Sequence, residues 1–333
     1  MSAPLTPARF RERYALATFA DGGVVVDLET GSYSALNGTA AAMLTALQTA
    51  SSDDDAVDRL AARLGISAER ARTDLATLTE ALSGEGLRVE PIDAFRYRRA
   101  EDGGYDLWHG EHRTVHLAPD LRRVTLGRRR DELPLDVYEY VSDLAPKVMF
   151  LLGIPVLHGS TWQGSAGVLA MCGKSKAGKT TTARTLARHA GRVLSEDLIT
   201  LRVDDGKPYV FVEAEANIVR WSRATAAALN EGAEWVDTSG LVEVATGPVA
   251  KLTSLWFLDA RRRGERFEIS PASNTAALTE LLSHGFLGGE GDAHWRRFLE
   301  TCRAITAAVA PHVASLPSGL DRLDAALADF AKR

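Results

Sequence analysis

Cysteine is nearly absent from the 333-residue chain, with Cys172 and Cys302 alone, so a disulfide framework of the kind that staples small secreted domains is excluded. Long hydrophobic runs are missing too. The longest, Val148 to Leu157, is broken by Gly153 and Pro155 and falls short of a bilayer span. Met1 to Tyr14 carries Arg9, Arg11 and Arg13 without a continuous apolar centre, unlike a secretory signal. Nor is there a strong charge imbalance: the formal net charge of -5 gives no global pull toward nucleic acid or anionic membrane. The basic runs Arg128 to Arg130 and Arg261 to Arg263 read as solvated turns, and the six tryptophans are too scattered to form a stacking platform. Repeats and low-complexity linkers are lacking. What is left is an ordinary folded composition, 45% hydrophobic and 25% charged, long enough for two domains and expected in the cytoplasm, with no nucleic-acid or membrane partner.

Two stretches carry specific information. Gly167 to Cys172 is a short apolar run suited to a strand covered on both faces. It leads directly into Gly173, Lys174, Ser175, Lys176, Ala177, Gly178, Lys179 and Thr180, which satisfy G-x-x-x-x-G-K-[ST] at every defined position. Thr181 to His189 then has helical spacing, with Gly191 to close it. Strand, glycine loop and helix are the context in which backbone N–H groups converge on phosphate oxygens. Thr181 extends the nucleotide-binding set, Lys179 is expected on the outer phosphates, and Thr180 on magnesium. Downstream, Arg192 to Asp197 reads as a strand ending in two acids, Glu196 and Asp197, positioned for a metal and an attacking hydroxyl. Cys172 belongs to the apolar strand and reads as packing.

The first segment follows another pattern. Strands over Leu16 to Phe19, Val24 to Leu28 and Ser32 to Leu36 precede helices over Thr39 to Thr49, Ala56 to Leu64 and Ala68 to Leu82, with Asn37 and Ser67 as caps and Gly65 as a stop. This is a small winged-helix-like module of three strands and three helices, spanning 15–90 after a tail at 1–14. Residues 91–333 form the second domain. It opens with strand-like pieces at Phe95 to Arg99 and Thr114 to Leu117 and a helix over Asp136 to Leu152, and it includes helices over Thr275 to His284 and Ala293 to Ala308. The "HGFLGGEGD" stretch between those last two helices reads as a loop able to approach substrate.

The wording "DGGVVVDLETGSYSALNGTAAAMLTAL" followed by "LTEALSGEGL" resembles the PqqD-like family, leader-recognition elements of ribosomally made, modified peptides. The resemblance implies an extended leader adding along Tyr33, Ser34, Ala35 and Leu36, against a helix face bearing Arg70, Asp74 and Thr77. A second stretch, "LHGSTWQGSAGVLAMCGKSKAGKTTTARTLARHAGRVLSEDLITL", resembles the catalytic domain of HPr kinase/phosphorylase and its relatives, which phosphorylate hydroxyls. That likeness implies an α/β fold with a mixed sheet around the loop, use of ATP or another nucleoside triphosphate with Mg2+, and leaves a homo-oligomer open. It assigns Glu196 as general base and Asp197, with Thr180, as metal ligands. His158 corresponds to the family's histidine ahead of the strand, a position a structural histidine can also fill. Two departures stand out. Ser195-Glu196-Asp197 replaces an Asp-Asp pair, and the family's Glu-Ile-Arg-Gly segment is only echoed by Asn217-Ile218-Val219-Arg220, which leaves Arg220 to neutralise charge and argues against phosphorylase activity.

Joined, the halves suggest a Ser/Thr kinase acting on a precursor peptide held by its leader. A small-molecule kinase of the free-serine type and a non-catalytic nucleotide-binding peptide chaperone are the alternatives.

Overall fold

A computed structural model describes residues 5–82, 95–109, 112–126, 136–259, 266–286 and 292–332. The basic runs at 128–130 and 261–263, the boundary near residue 91 and most of the glycine-rich stretch after residue 286 lie outside them.

The first unit comprises α1 (Pro7–Arg13), β1 (Tyr14–Phe19), β2 (Gly22–Asp27), β3 (Tyr33–Leu36), α2 (Gly38–Thr49), α3 (Asp53–Leu64) and α4 (Ala68–Leu82). Its strands make an antiparallel sheet in the order β1-β2-β3. The caps are those the sequence encodes: the Asn37 side chain accepts from Ala40 N–H at 2.8 Å, and Gly65 takes a left-handed φ of 66°. Residues 1–14, read from sequence as a tail, include a real helix. Thr6 caps α1, Pro7 opens it, and Phe10 is fully buried and stacked on Tyr14 at 5.4 Å. Burying that one ring contributes about 2–3 kcal/mol, enough to hold a short helix that would be marginal alone.

Beyond it come β4 (Phe95–Arg99), β5 (Tyr105–His109), β6 (His112–Leu117), β7 (Arg123–Leu126) and α5 (Val137–Leu151). Then follow β8 (Val156–Gly164), β9 (Gly167–Cys172), α6 (Lys179–His189), β10 (Arg192–Ser195), β11 (Leu198–Asp204), β12 (Lys207–Phe211), α7 (Ala214–Asn230), β13 (Trp235–Asp237) and α8 (Ser239–Val244). The chain closes with β14 (Val249–Leu258), β15 (Glu268–Pro271), α9 (Asn274–Ser283), α10 (Asp292–Ala308), β16 (Pro311–Ser315) and α11 (Leu320–Ala331). The main sheet is mixed. β9 lies parallel to β14, and β14 parallel to β16, while β8 runs antiparallel on the other edge of β9. This makes β9 an interior strand, which explains its apolar composition. Strands β4 to β7 are extended by β13 into a separate five-stranded antiparallel sheet, so this stretch is a layer of the domain. Its inward residues Tyr97, Leu107, Val115 and Leu117 share one core with Tyr140, Val141, Leu144 and Val148 of α5.

The two units share a core as well. On one face of the β1–β3 sheet, Val25 and Leu36 pack on the module's own helices. On the other, Ala17, Val24, Val26 and Tyr33 pack into the core containing Leu278, Leu281 and Trp295 of α9 and α10. Burial on both faces is what the unbroken Val24-Val25-Val26 run requires. Polar ties fix the contact. Asp21, in the β1–β2 turn, accepts from the backbone N–H and the hydroxyl of Thr275 at 3.2 Å each. Arg296 donates to the carbonyl oxygens of Arg11, Glu12 and Tyr14.

Candidate functional site

The loop between β9 and α6 holds its shape through two glycines. Gly173 has φ 156°, and a Cβ there would stand 2.8 Å from the Leu258 carbonyl oxygen. Gly178, at φ 104°, precedes the first residue of α6 with no side-chain cap, so the leading N–H groups of that helix stay open toward the loop. Between them Ala177 is buried and bonds back to the Lys174 carbonyl at 3.1 Å, and Lys176 adopts a left-handed φ of 65°. Lys174, Ser175 and Thr181 are exposed.

Lys179 is buried, and its Nζ donates to the carbonyl oxygens of Gly173 at 2.8 Å and Lys174 at 3.2 Å. Burial lowers its pKa, an effect opposed by the nearby Cys172 and Asp197. A buried ammonium satisfied only by backbone carbonyls is poised to accept a stronger anionic partner.

Both acids lie in the turn between β10 and β11. The Glu196 carbonyl accepts from Ser160 Oγ at 2.5 Å and Thr180 Oγ1 at 3.4 Å, which ties the turn to β8 and to the loop. Two side chains that sequence reasoning missed organise it. Glu215, in the first turn of α7, accepts from the backbone N–H of Glu196 at 2.8 Å and of Asp197 at 3.0 Å, and burial raises its pKa. Arg184, on α6, clasps the Glu196 carboxylate with two bonds of 2.8 and 2.5 Å, which lowers the Glu196 pKa. Arg184 carries a local signal, since it lies one helical turn after Thr180; Glu215 carries none.

This geometry bears against the base assignment given to Glu196. Its carboxylate is committed to a guanidinium, whereas the exposed Asp197 acts electrostatically on both Lys179 and His158. His158 is half-buried beside Leu198 of β11 and donates its backbone N–H to the His284 carbonyl at 2.7 Å. Burial and Lys179 depress its pKa, which favours the neutral ring. Arg220 does not join the group. It donates to Asn217 on its own helix, because the position five residues past Glu215 faces elsewhere on α7. Burial drives the Cys172 thiol up to about 12, which fits packing rather than nucleophilic chemistry.

In the first unit, β3 lies at an edge of its sheet, with Tyr33 and Leu36 buried, Ser34 partly covered and Ala35 exposed. Arg70 and Asp74 pair across one turn of α4 at 2.9 Å, and Thr77 bonds the Thr73 carbonyl at 3.0 Å, so all three remain on the exposed side of that helix.

Residues 22–87 match the family model described as coenzyme PQQ synthesis protein D (PqqD), which spans β2 through α4. No curated protein matches the chain. Among solved structures, the Hpr(Ser) kinase/phosphatase from Coxiella burnetii is similar over 54% of this chain and 95% of that one, at 8% identity and a TM-score of 0.24, too loose a superposition to argue from. No described helix is long and apolar enough to cross a membrane.

Proposed function

We propose that the chain is an ATP-dependent kinase that phosphorylates a serine or threonine hydroxyl of a ribosomally made precursor peptide, held through its leader by the PqqD module. The observation that carries this reading is Lys179, buried and satisfied only by the Gly173 and Lys174 carbonyls, with the exposed Asp197 close enough to influence it. An incoming triphosphate offers that ammonium a better partner, and the open N–H groups at the start of α6 receive the inner phosphates.

The residues present suit magnesium. Thr180 supplies a hydroxyl and Asp197 a carboxylate, both hard oxygen donors. No cluster of three or more His, Cys, Asp or Glu occurs among the described residues. An ion held by few protein ligands together with substrate phosphates and water is the usual arrangement for this metal, which would neutralise phosphate charge. In the transfer, the peptide hydroxyl oxygen bonds to the terminal phosphorus as the bond from that phosphorus to the bridging oxygen breaks. The nucleoside diphosphate leaves with the electron pair. The carboxylate oxygen of Asp197 that would not be offered to the metal takes the hydroxyl proton, Lys179 stabilises the outer phosphates, and Glu215 holds the acid-bearing turn in register.

Leader recognition follows from the β3 edge, where an extended segment adds main-chain hydrogen bonds and so raises the local concentration of the acceptor to the millimolar range, roughly. The test is phosphate transfer from [γ-32P]ATP to synthetic peptides bearing serine or threonine, read by autoradiography. Lys179→Ala is expected to abolish transfer while peptide binding persists. Transfer at the wild-type rate by that variant refutes the reading.

A further inference from the structure

A cavity of about 430 Å³ opens against the phosphate loop, lined among others by Gly173, Lys174, Asp259, Ala272, Ala276 and Glu280. Its place relative to a nucleotide follows from Lys179. A loop lysine reaches the outer phosphates, and Lys179 Nζ rests on the carbonyls of Gly173 and Lys174, the two loop residues that form the cavity wall. The cavity therefore meets the loop at the outer-phosphate end, where an acceptor must enter, whereas the inner phosphates and nucleoside extend toward Thr180 and Thr181.

Helix α9 forms the opposite wall, and it also carries the recognition module. Thr275 is bound by Asp21, and Leu278 and Leu281 pack under the β1–β3 sheet, while Ala276 and Glu280 face the cavity. Glu280 lines the cavity from the helix that packs against β2 and β3, so it lies between the two sites. A single helix, about 10–12 Å thick, separates them.

We infer that this cavity is the acceptor subsite: it takes the hydroxyl-bearing segment of the same peptide, in extended form, with a basic residue next to the hydroxyl. The small side chains at Ala272 and Ala276 admit a main chain close to the loop. The Glu280 carboxylate, about half exposed and 3.5 Å from His284 Nε2, supplies the charge that a lysine or arginine flanking the hydroxyl complements. This rests on the kinase reading above and adds to it a substrate class and the residues that select it.

The test uses the full chain and two probes, the fluorescent nucleotide mant-ATP and a degenerate synthetic peptide library with a central serine or threonine. Wild type is expected to favour peptides with lysine or arginine beside the hydroxyl by about fivefold, the size of effect one exposed charge pair gives. Glu280→Gln removes that preference. Ala276→Phe, at an exposed helix position where folding is not at stake, lowers transfer at least tenfold and leaves mant-ATP affinity within about twofold. A tenfold loss of mant-ATP affinity in Ala276→Phe overturns the inference and assigns the cavity to the nucleoside. Unchanged transfer by both variants also overturns it, with the kinase reading intact. Wild-type chain that binds mant-ATP and phosphorylates no library peptide even at millimolar concentration, the range leader docking supplies, refutes the kinase reading, and the acceptor assignment falls with it.

Discussion

Glu196 and Asp197 are adjacent in sequence and chemically alike, yet the structure gives them different surroundings, and their variants should diverge by orders of magnitude. The Glu196 carboxylate accepts two bonds from Arg184, and the pair is open to solvent, with side chains 34% and 66% exposed. Exposed pairs of this kind contribute little, so Glu196→Gln, which keeps shape and one acceptor, is expected to change turnover less than about fivefold. Asp197 acts electrostatically on Lys179 and His158. Loss of a positioned proton acceptor costs about 10²- to 10⁴-fold in rate, and Asp197→Asn is expected to fall in that range. Single-turnover transfer from [γ-32P]ATP at saturating peptide separates the chemical step from binding, and mant-ATP titration verifies that the loop is intact in each variant. If Glu196→Gln loses about 10³-fold while Asp197→Asn stays within tenfold, the reasoning is refuted and Glu196 must leave Arg184 during turnover. Arg184→Ala then supplies an independent sign, since freeing Glu196 would raise its pKa and speed rather than slow the step.

Glu215→Ala leaves the Glu196 and Asp197 N–H groups without their acceptor, at a cost of about 1–3 kcal/mol; calorimetry should show Tm lower by a few degrees, and turnover should fall as the turn loosens. His158 has its pKa depressed by burial, so below its ordinary value near 6.5 the unfolded chain takes up a proton that the folded chain resists. Stability is therefore full above pH 6.5 and declines as pH falls, and His158→Gln should flatten that part of a urea-denaturation series between pH 5 and 7. Cys172 and Cys302 are both fully buried, with thiol pKa values raised, so neither should react with a thiol reagent such as DTNB at pH 8 until the chain is unfolded.

The glycine loop between β9 and α6 was legible because its constraints are local. Gly173 and Gly178 need backbone angles that other residues resist, and the apolar strand before them and the helix after them are contiguous in sequence. The caps at Asn37 and Gly65 were legible for the same reason. What escaped reading depends on partners far away in the chain. Arg9, Arg11 and Arg13 disguise α1, which is held by Phe10 in a pocket built from residues up to Leu75. β14 and β16, which complete the sheet around β9, are fixed by parallel pairing across intervals of more than fifty residues and have no motif. Glu215 looked like one more surface acid on a helix; only the fold brings it under the 196–197 turn. Arg220 failed in the opposite way, since a faint sequence echo suggested a role that helix geometry withholds.

The double burial of the β1–β3 sheet limits how the module can take a peptide. With its own helices on one face and α9 and α10 on the other, neither face is free, and binding must use an edge. The two edges are not equivalent. Along β1, the Tyr14 carbonyl is occupied by Arg296, so the start of that edge is already engaged. Along β3, Ala35 is exposed and no further strand pairs among the described residues. A leader added there would lie against the strand that α9 supports from beneath, one helix away from the phosphate loop. Arg296→Ala separates docking from recognition: if the module works only when seated on α10, this distant substitution raises the peptide KM and spares ATP affinity, and if the module acts as a free tether, KM stays unchanged.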